Sequence, residues 1–198
     1  MMDIAAEINA IRRRVHGRAV VACRTYDAAP GDVWQACTDP GRLARWFLPV
    51  TGDLRPGGSY QLQGNAGGEI VRCEPPEVLR VTWIFGEGPA SVVEVRLRPG
   101  AEGTLLELEH SDLADHQHWD QFGPGAVGVG WDMTLLGLAL HVSGHGNPAD
   151  WGSSGEAREF MTESARAWGV AHVVSGEDPA QAVAAAQRTQ AVYVRPQD

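Results

Sequence analysis

Few residues in this chain have the type and spacing to act together in chemistry. His116 and His118, with Asp112, Asp115 and Asp120 nearby, offer metal-ligand types but no third strong ligand, so a solvated loop is the plainer reading. His141 and His145 lie a turn apart at a helix end, where favourable interaction with the macrodipole accounts for them. Cys23, Cys37 and Cys73 fit neither a disulfide framework nor a zinc site, and read as reduced thiols. No Gly-x-Ser-x-Gly occurs, and no cysteine has a plausible base partner in its sequence context. Gly123-x-Gly125-x-x-Gly128 matches the dinucleotide fingerprint literally. That motif requires a preceding parallel strand and a repeated strand–helix unit, whereas a meander precedes it here and no such unit follows. No metal and no cofactor are expected.

The one ionisable group on an inward strand position is His110. It either orients a bound ligand or shuttles a proton, or it is a hydrogen-bonded core histidine, which is the plainer alternative. Glu94, Glu107 and Glu109 have outward parity, so paired-carboxylate chemistry has no inward acids to use. The aromatic set is richer, with seven tryptophans in 198 residues. Trp34, Trp46, Phe47, Tyr60, Trp83, Phe85 and Trp131 fall at inward or helix–sheet positions, and with Leu108 and Leu135 they are expected to wall a cavity that His110 faces. The competing reading is core packing alone.

The elements that must position these residues follow from periodicity. Ile4, Ile8, Ile11 and Val15, at spacings of three and four, predict an N-terminal amphipathic helix within residues 1–17. A first strand is expected over Arg18 to Tyr26, then a helix opened by Asp32 and a second opened by Asp39-Pro40. This resembles a helix-turn-helix in shape only, since its second helix carries just Arg42 and Arg45 as basic residues. Between Gly52 and Asp112 the period is two, predicting strands at Ser59 to Gln63, Glu69 to Glu74, Val78 to Phe85, Ser91 to Arg98 and Thr104 to Ser111. Parity places Val71 and Cys73, Leu79, Val81 and Trp83, and Leu106 and Leu108 on one covered face. Every proline of this stretch falls in a turn, as strand pairing requires.

Ala126 to Val142 is the longest apolar helix. Its stripe is wide enough to be buried on more than one side, and its glycines mean that burial rather than propensity holds it. Ser153 with Glu156 predicts a capping box before a helix ending near Gly176, and Asp178-Pro179 opens an alanine-rich helix to about Val192. This tail is expected to pack on the outer side of the long helix, so a chain cut at Gly152 should lose stability and solubility. The resulting fold class is α+β, a curved antiparallel sheet wrapped around a long helix. The expected division is 1–17, a helix-grip body at 18–145, and a helical extension at 146–198 packed on it.

Composition narrows the partners. A net charge of −9 and a pI near 5.2 disfavour a phosphate-tracking surface, so no nucleic acid is expected. Arg12-Arg13-Arg14 reads as a solvated helix face. Hydrophobic residues at 43% and charged residues at 21% match a globular chain, with no run of eighteen apolar residues and no standard secretory signal. A cytoplasmic location without a membrane span is the expectation.

The ordered segments then resemble the SRPBCC superfamily, and within it the AHSA-type group named for activators of the heat-shock chaperone ATPase. The likeness is carried by Thr25-Tyr26-Asp27-Ala28-Ala29-Pro30 with Val33-Trp34, Thr38-Asp39-Pro40 with Arg45-Trp46-Phe47, Gly52-Asp53-Leu54-Arg55-Pro56-Gly57-Gly58, Glu74-Pro75-Pro76 with Thr82-Trp83, Leu106-x-Leu108-x-His110 and Gly130-Trp131. It spans roughly residues 18–142. The resemblance implies a helix-grip fold, similar to START and pollen-allergen-like domains, with a cavity between sheet and long helix. It implies no fixed chemistry. Three functions stay open: a binding module for an apolar, lipid-like small molecule, an interaction protein with a chaperone or a second copy as partner, and a cavity cyclase, hydrolase or isomerase using His110. An enzyme is the less favoured of these.

Overall fold

The computed structural model describes residues 2–113, 118–145 and 151–194. Helix α1 (Ile4–Asn9) starts where the Asp3 carboxylate accepts from the Ala6 backbone N–H at 3.0 Å. The expected helix to residue 17 stops there. Arg12–His16 is strand β1, paired antiparallel with β2 (Ala19–Tyr26). Spacing of Ile11 and Val15 suits a helix, but Arg13 and Val15 also alternate with exposed Arg12, Arg14 and His16. Gly17, at φ +55°, closes a tight hairpin, and ladder bonds to β2 decide the outcome.

Helices α2 (Pro30–Thr38) and α3 (Pro40–Trp46) follow, and Asp39 caps α3 through Arg42 N at 2.8 Å. Helix α2 starts two residues before the expected Asp32, with Pro30 in its first turn. The meander is β3 (Val50–Gly52), β4 (Ser59–Leu62), β5 (Gly67–Glu74), β6 (Val78–Trp83), β7 (Ser91–Gly100) and β8 (Gly103–Ser111). Together the strands form one eight-stranded antiparallel sheet in the order β1-β2-β8-β7-β6-β5-β4-β3.

One row crosses the inner face from Val81 through Val93 and His110 to Val20, and the next runs Leu79, Val95, Leu108, Ala22. The other face carries charge. Glu94 is paired with Arg80 and Arg96, and Glu107 with Arg14, so buried Glu94 lies under a layer of arginines on the outer side. Val71 is a correction: it is 51% exposed. A bulge between Ile70 and Arg72 inserts one residue, so Ile70 and Cys73, three apart, both turn inward.

After the short α4 (Trp119–Phe122), α5 (Gly125–Val142) crosses the inner face of the sheet. It is long and apolar enough to cross a membrane by length and composition, and half of it is buried inside the protein. A 3-10 turn (Trp151–Ser153) leads to α6 (Gly155–Val174) and α7 (Pro179–Tyr193). The cap of α6 is Ser154, one residue past the expected Ser153, and Asp178 caps α7 as expected.

Both tail helices touch the side of α5 away from the sheet, and the glycines of α5 explain how closely. A Cβ on Gly128 would lie 2.4 Å from the Trp168 ring, and one on Gly125 would lie 2.8 Å from Thr189 Oγ1. The dinucleotide-like glycines are therefore packing sites. At the same contact Asp132, fully buried on α5, accepts at Oδ2 from Arg13 Nε (2.8 Å), Ser164 Oγ (2.5 Å) and Trp168 Nε1 (3.2 Å). Burial raises the Asp132 carboxyl above its usual range, with Arg13 opposing that shift. The predicted boundary between 145 and 146 adjoins 146–150, outside the described residues.

Candidate functional site

A cavity of about 190 Å³ lies between the inner face of the sheet, α5, and the α2–α3 pair. Strand alternation supplies one wall, with Leu79, Val81 and Trp83 from β6, Val93 and Val95 from β7, and Leu106 and Leu108 from β8. Helix α5 supplies the facing wall through Trp131, Leu135 and Leu138, a set spaced by four and three. Trp46 and Phe47, stacked with centroids 5.5 Å apart at the end of α3, cover one side. Leu54, 40% exposed, brings the cavity to the surface.

The polar groups around this space are committed elsewhere. Tyr60 donates its hydroxyl to the Thr82 carbonyl (2.8 Å), and burial pushes that phenol well above its usual range. Trp46 Nε1 donates to the Ala36 carbonyl (3.0 Å), Thr38 to Trp34 O (2.8 Å) and Thr134 to Gly130 O (2.8 Å). Two thiols complete the lining. Burial pushes Cys37 up to about 12 and also raises Cys73, so both stay protonated at neutral pH. Among the described residues no charged side chain lines the cavity. An anion or cation entering it would lose its hydration without replacement.

His110 sits behind this wall. Indole nitrogen can only donate, so Trp131 Nε1–H donates to His110 Nδ1 (3.0 Å), which leaves the ring proton on Nε2. Nε2–H then donates to Ser91 Oγ (2.8 Å), and Ser91 donates to the Trp83 carbonyl (3.0 Å). The chain runs from one cavity tryptophan, Trp131, to the backbone of another, Trp83. Rings of Trp83 and Trp131 lie 5.1 Å apart, with the imidazole 5.7 Å from the latter. This imidazole bridges the two indoles and is not among the residues that line the cavity.

Of the ten expected site residues, Trp46, Phe47, Tyr60, Trp83, Leu108, Trp131 and Leu135 line the cavity. Trp34, Phe85 and His110 do not. Trp34 is buried in α2, one turn before the lining residues Cys37 and Thr38. Phe85 is 59% exposed: β6 ends at Trp83, only a bridge holds Ile84 to Gly67, and Gly86 at φ +59° turns the chain outward. The sequence reading missed Val50, Leu54 and Ile70. Strand β3 is too short to show a period, and the bulge hides Ile70. It also missed Asp132, although an acid in an otherwise apolar helix signals a buried partner.

His116 and Asp115 lie outside the described residues; His118 stacks on Phe122 at 5.9 Å. Among the described residues no three His, Cys, Asp or Glu side chains gather as a metal site.

Residues 27–143 match the family described as Activator of Hsp90 ATPase homolog 1-like protein. No curated protein matches the chain. Among solved structures, the crystal structure of CalU16 from Micromonospora echinospora is 38% identical, with 82% of this chain and 95% of that one covered at a TM-score of 0.64. Its solution structure gives 38%, 84%, 95% and 0.68. DynU16, a protein in the dynemicin biosynthetic locus, is 26% identical over 65% of this chain and 48% of that one, with a TM-score of 0.59. MLL2253 from Mesorhizobium loti, at 24% identity and a TM-score of 0.57 over 64% of this chain and 97% of that one, shares the fold. A family match over more than half the length, with a helix gripped by a curved sheet, establishes that this chain belongs to the Hsp90-ATPase-activator-like family of the SRPBCC superfamily, whose fold commonly binds ligands.

Proposed function

We propose that the chain binds one uncharged, apolar small molecule between the sheet and α5. The observation that carries this reading is the cavity of about 190 Å³, whose walls are apolar and whose neighbouring polar groups are hydrogen-bonded elsewhere. A dry engineered cavity of about 150 Å³ with such walls accepts a benzene-sized guest, so one to two rings or a short aliphatic chain is the matching size. Native mass spectrometry with indole, naphthalene and octanol, alongside octanoate as the charged control, tests it. One-to-one adducts are expected with the neutral probes, weaker ones with octanoate, and none with a Leu108→Trp variant that fills the space. Absence of neutral adducts, or their survival in the folded filled variant, would overturn the reading.

A second reading follows from the family description, contact with a chaperone ATPase. Ile84 and Phe85, exposed after β6, are the apolar side chains such a contact could use. Stimulation of a chaperone ATPase that falls in Phe85→Ser would support it, and absence of stimulation would remove it. An enzyme reading would rest on His110, whose ring nitrogens contact Trp131 and Ser91, and a His110→Ala variant that kept every measured turnover would remove it.

A further inference from the structure

A groove separate from the cavity runs along the outer edge of β1. This strand ends the sheet, and among the described residues no backbone hydrogen bond reaches it from the side away from β2. In an antiparallel strand alternate residues turn N–H and C=O groups to that free side. Helix α6 forms the opposite wall, with Ala167, Val170, Ala171 and Val174 at helical spacing along the groove. Val170 is 65% exposed and Val174 83% exposed, so these two stand open on the groove while Ala171 packs into the core.

A strand edge beside a helix is the geometry that receives an extended peptide by strand addition. Charge selects the peptide. The chain carries −9 overall, yet β1 reads Arg-Arg-Arg-Val-His. Arg13 turns inward to Asp132, while Arg12 and Arg14 stay exposed on the outer face. Arg14 gives one bond to Glu107, and Arg12 has no ion pair among the described residues. Pairing β1 with a second copy of itself would set arginines against arginines, which is unfavourable between facing strands.

We propose that this groove binds an extended segment of a partner protein with alternating acidic and apolar side chains, added to β1 as a ninth strand. Acidic side chains of that segment lie over Arg12 and Arg14, and the alternate apolar ones meet Val170 and Val174. The matched length is that of β1, five residues.

A fluorescein-labelled peptide of alternating Glu and Val, seven residues long, tests this by anisotropy with the full chain, against the same peptide with Lys replacing Glu. Binding is expected for the acidic peptide only, with amide exchange slowed across 12–16. Arg12→Glu and Val174→Asp, both at exposed positions, should each weaken it by about tenfold, and added salt should weaken it further. Failure of the acidic peptide to bind, equal binding of the lysine peptide, or unchanged affinity in both variants would overturn the proposal. So would a concentration-dependent dimer in sedimentation that Val174→Asp dissolves, since a second copy would then be the occupant.

Discussion

The two sides of α5 use opposite packing solutions. Toward the tail, Gly125 and Gly128 admit Thr189 and Trp168 to contacts that leave no room for a methyl group, and a buried carboxylate ties β1, α5 and α6 together. Toward the sheet, large side chains at Trp131, Leu135 and Leu138 face other large side chains, and space is left between them. One helix can thus be rigidly anchored along one side and still border a void on the other. The lesson is that the tail stabilises the helix that the cavity cannot.

That contrast can be broken most directly at Asp132. Asp132→Ala leaves the Arg13 guanidinium buried without its carboxylate, and a loss of about 3–5 kcal/mol is expected in urea denaturation. On the other side, Leu135→Ala should cost about 2–4 kcal/mol and enlarge the cavity. If Leu135→Ala proved the more damaging of the two, the tail would not be the principal anchor. Glycine substitutions make the comparison sharper. Gly128→Ala should destabilise by about 1–3 kcal/mol through overpacking on Trp168. Gly137→Ala, whose new Cβ would meet Trp46 at an ordinary 3.5 Å, should be neutral or stabilise by up to about 1 kcal/mol through helix propensity. Thermal melts of the two variants moving in the same direction would dissolve the distinction.

The smallest effect is on pH dependence. Burial, chiefly, holds His172 of the tail helix α6 and His141 of α5 below the ordinary 6.5, Arg42 adding to the depression at His141. The unfolded chain therefore binds these protons more readily. Each histidine contributes stability that is complete above 6.5 and is lost as pH falls through its lowered folded value. Asp132 has the opposite sign: its raised carboxyl contributes more as pH falls toward 3.8. Denaturation midpoints should decline modestly on acidification from about pH 7 to pH 5, and His172→Gln should flatten that decline more than His141→Gln.

Much of the architecture was legible in the chain because each element repeats its signal. Period two over five strands, Gly in the turns, and Asp39 and Asp178 at helix starts all agree with one another, but Pro99, expected in a turn with Gly100, lies within β7 opposite Thr104. The failures are places where a single residue overrides a repeat. The inserted residue at Val71 reverses the facing of β5, and Gly86 takes Phe85 out of the strand that parity assigned to it. The stretch 12–16 fits both periods, and long-range pairing with β2 settles it. For the cavity, strand and α5 walls were readable, but Val50 and Leu54 enter from segments too short to carry a pattern. The exclusion of His110 depends on where Trp131 aims its N–H, which no spacing encodes.

The hydrogen-bond chain from Trp131 through His110 and Ser91 to Trp83 bears on the entropy of binding. Two of the three indoles that border the cavity, Trp131 and Trp83, are held before any guest arrives, one by its own nitrogen and the other through its backbone and ring contacts. Immobilising a side chain on association costs about 0.5–1.5 kcal/mol, and at these two positions that ordering is already complete in the folded protein. Such a wall selects a guest by shape, since it has little freedom left to adapt to one.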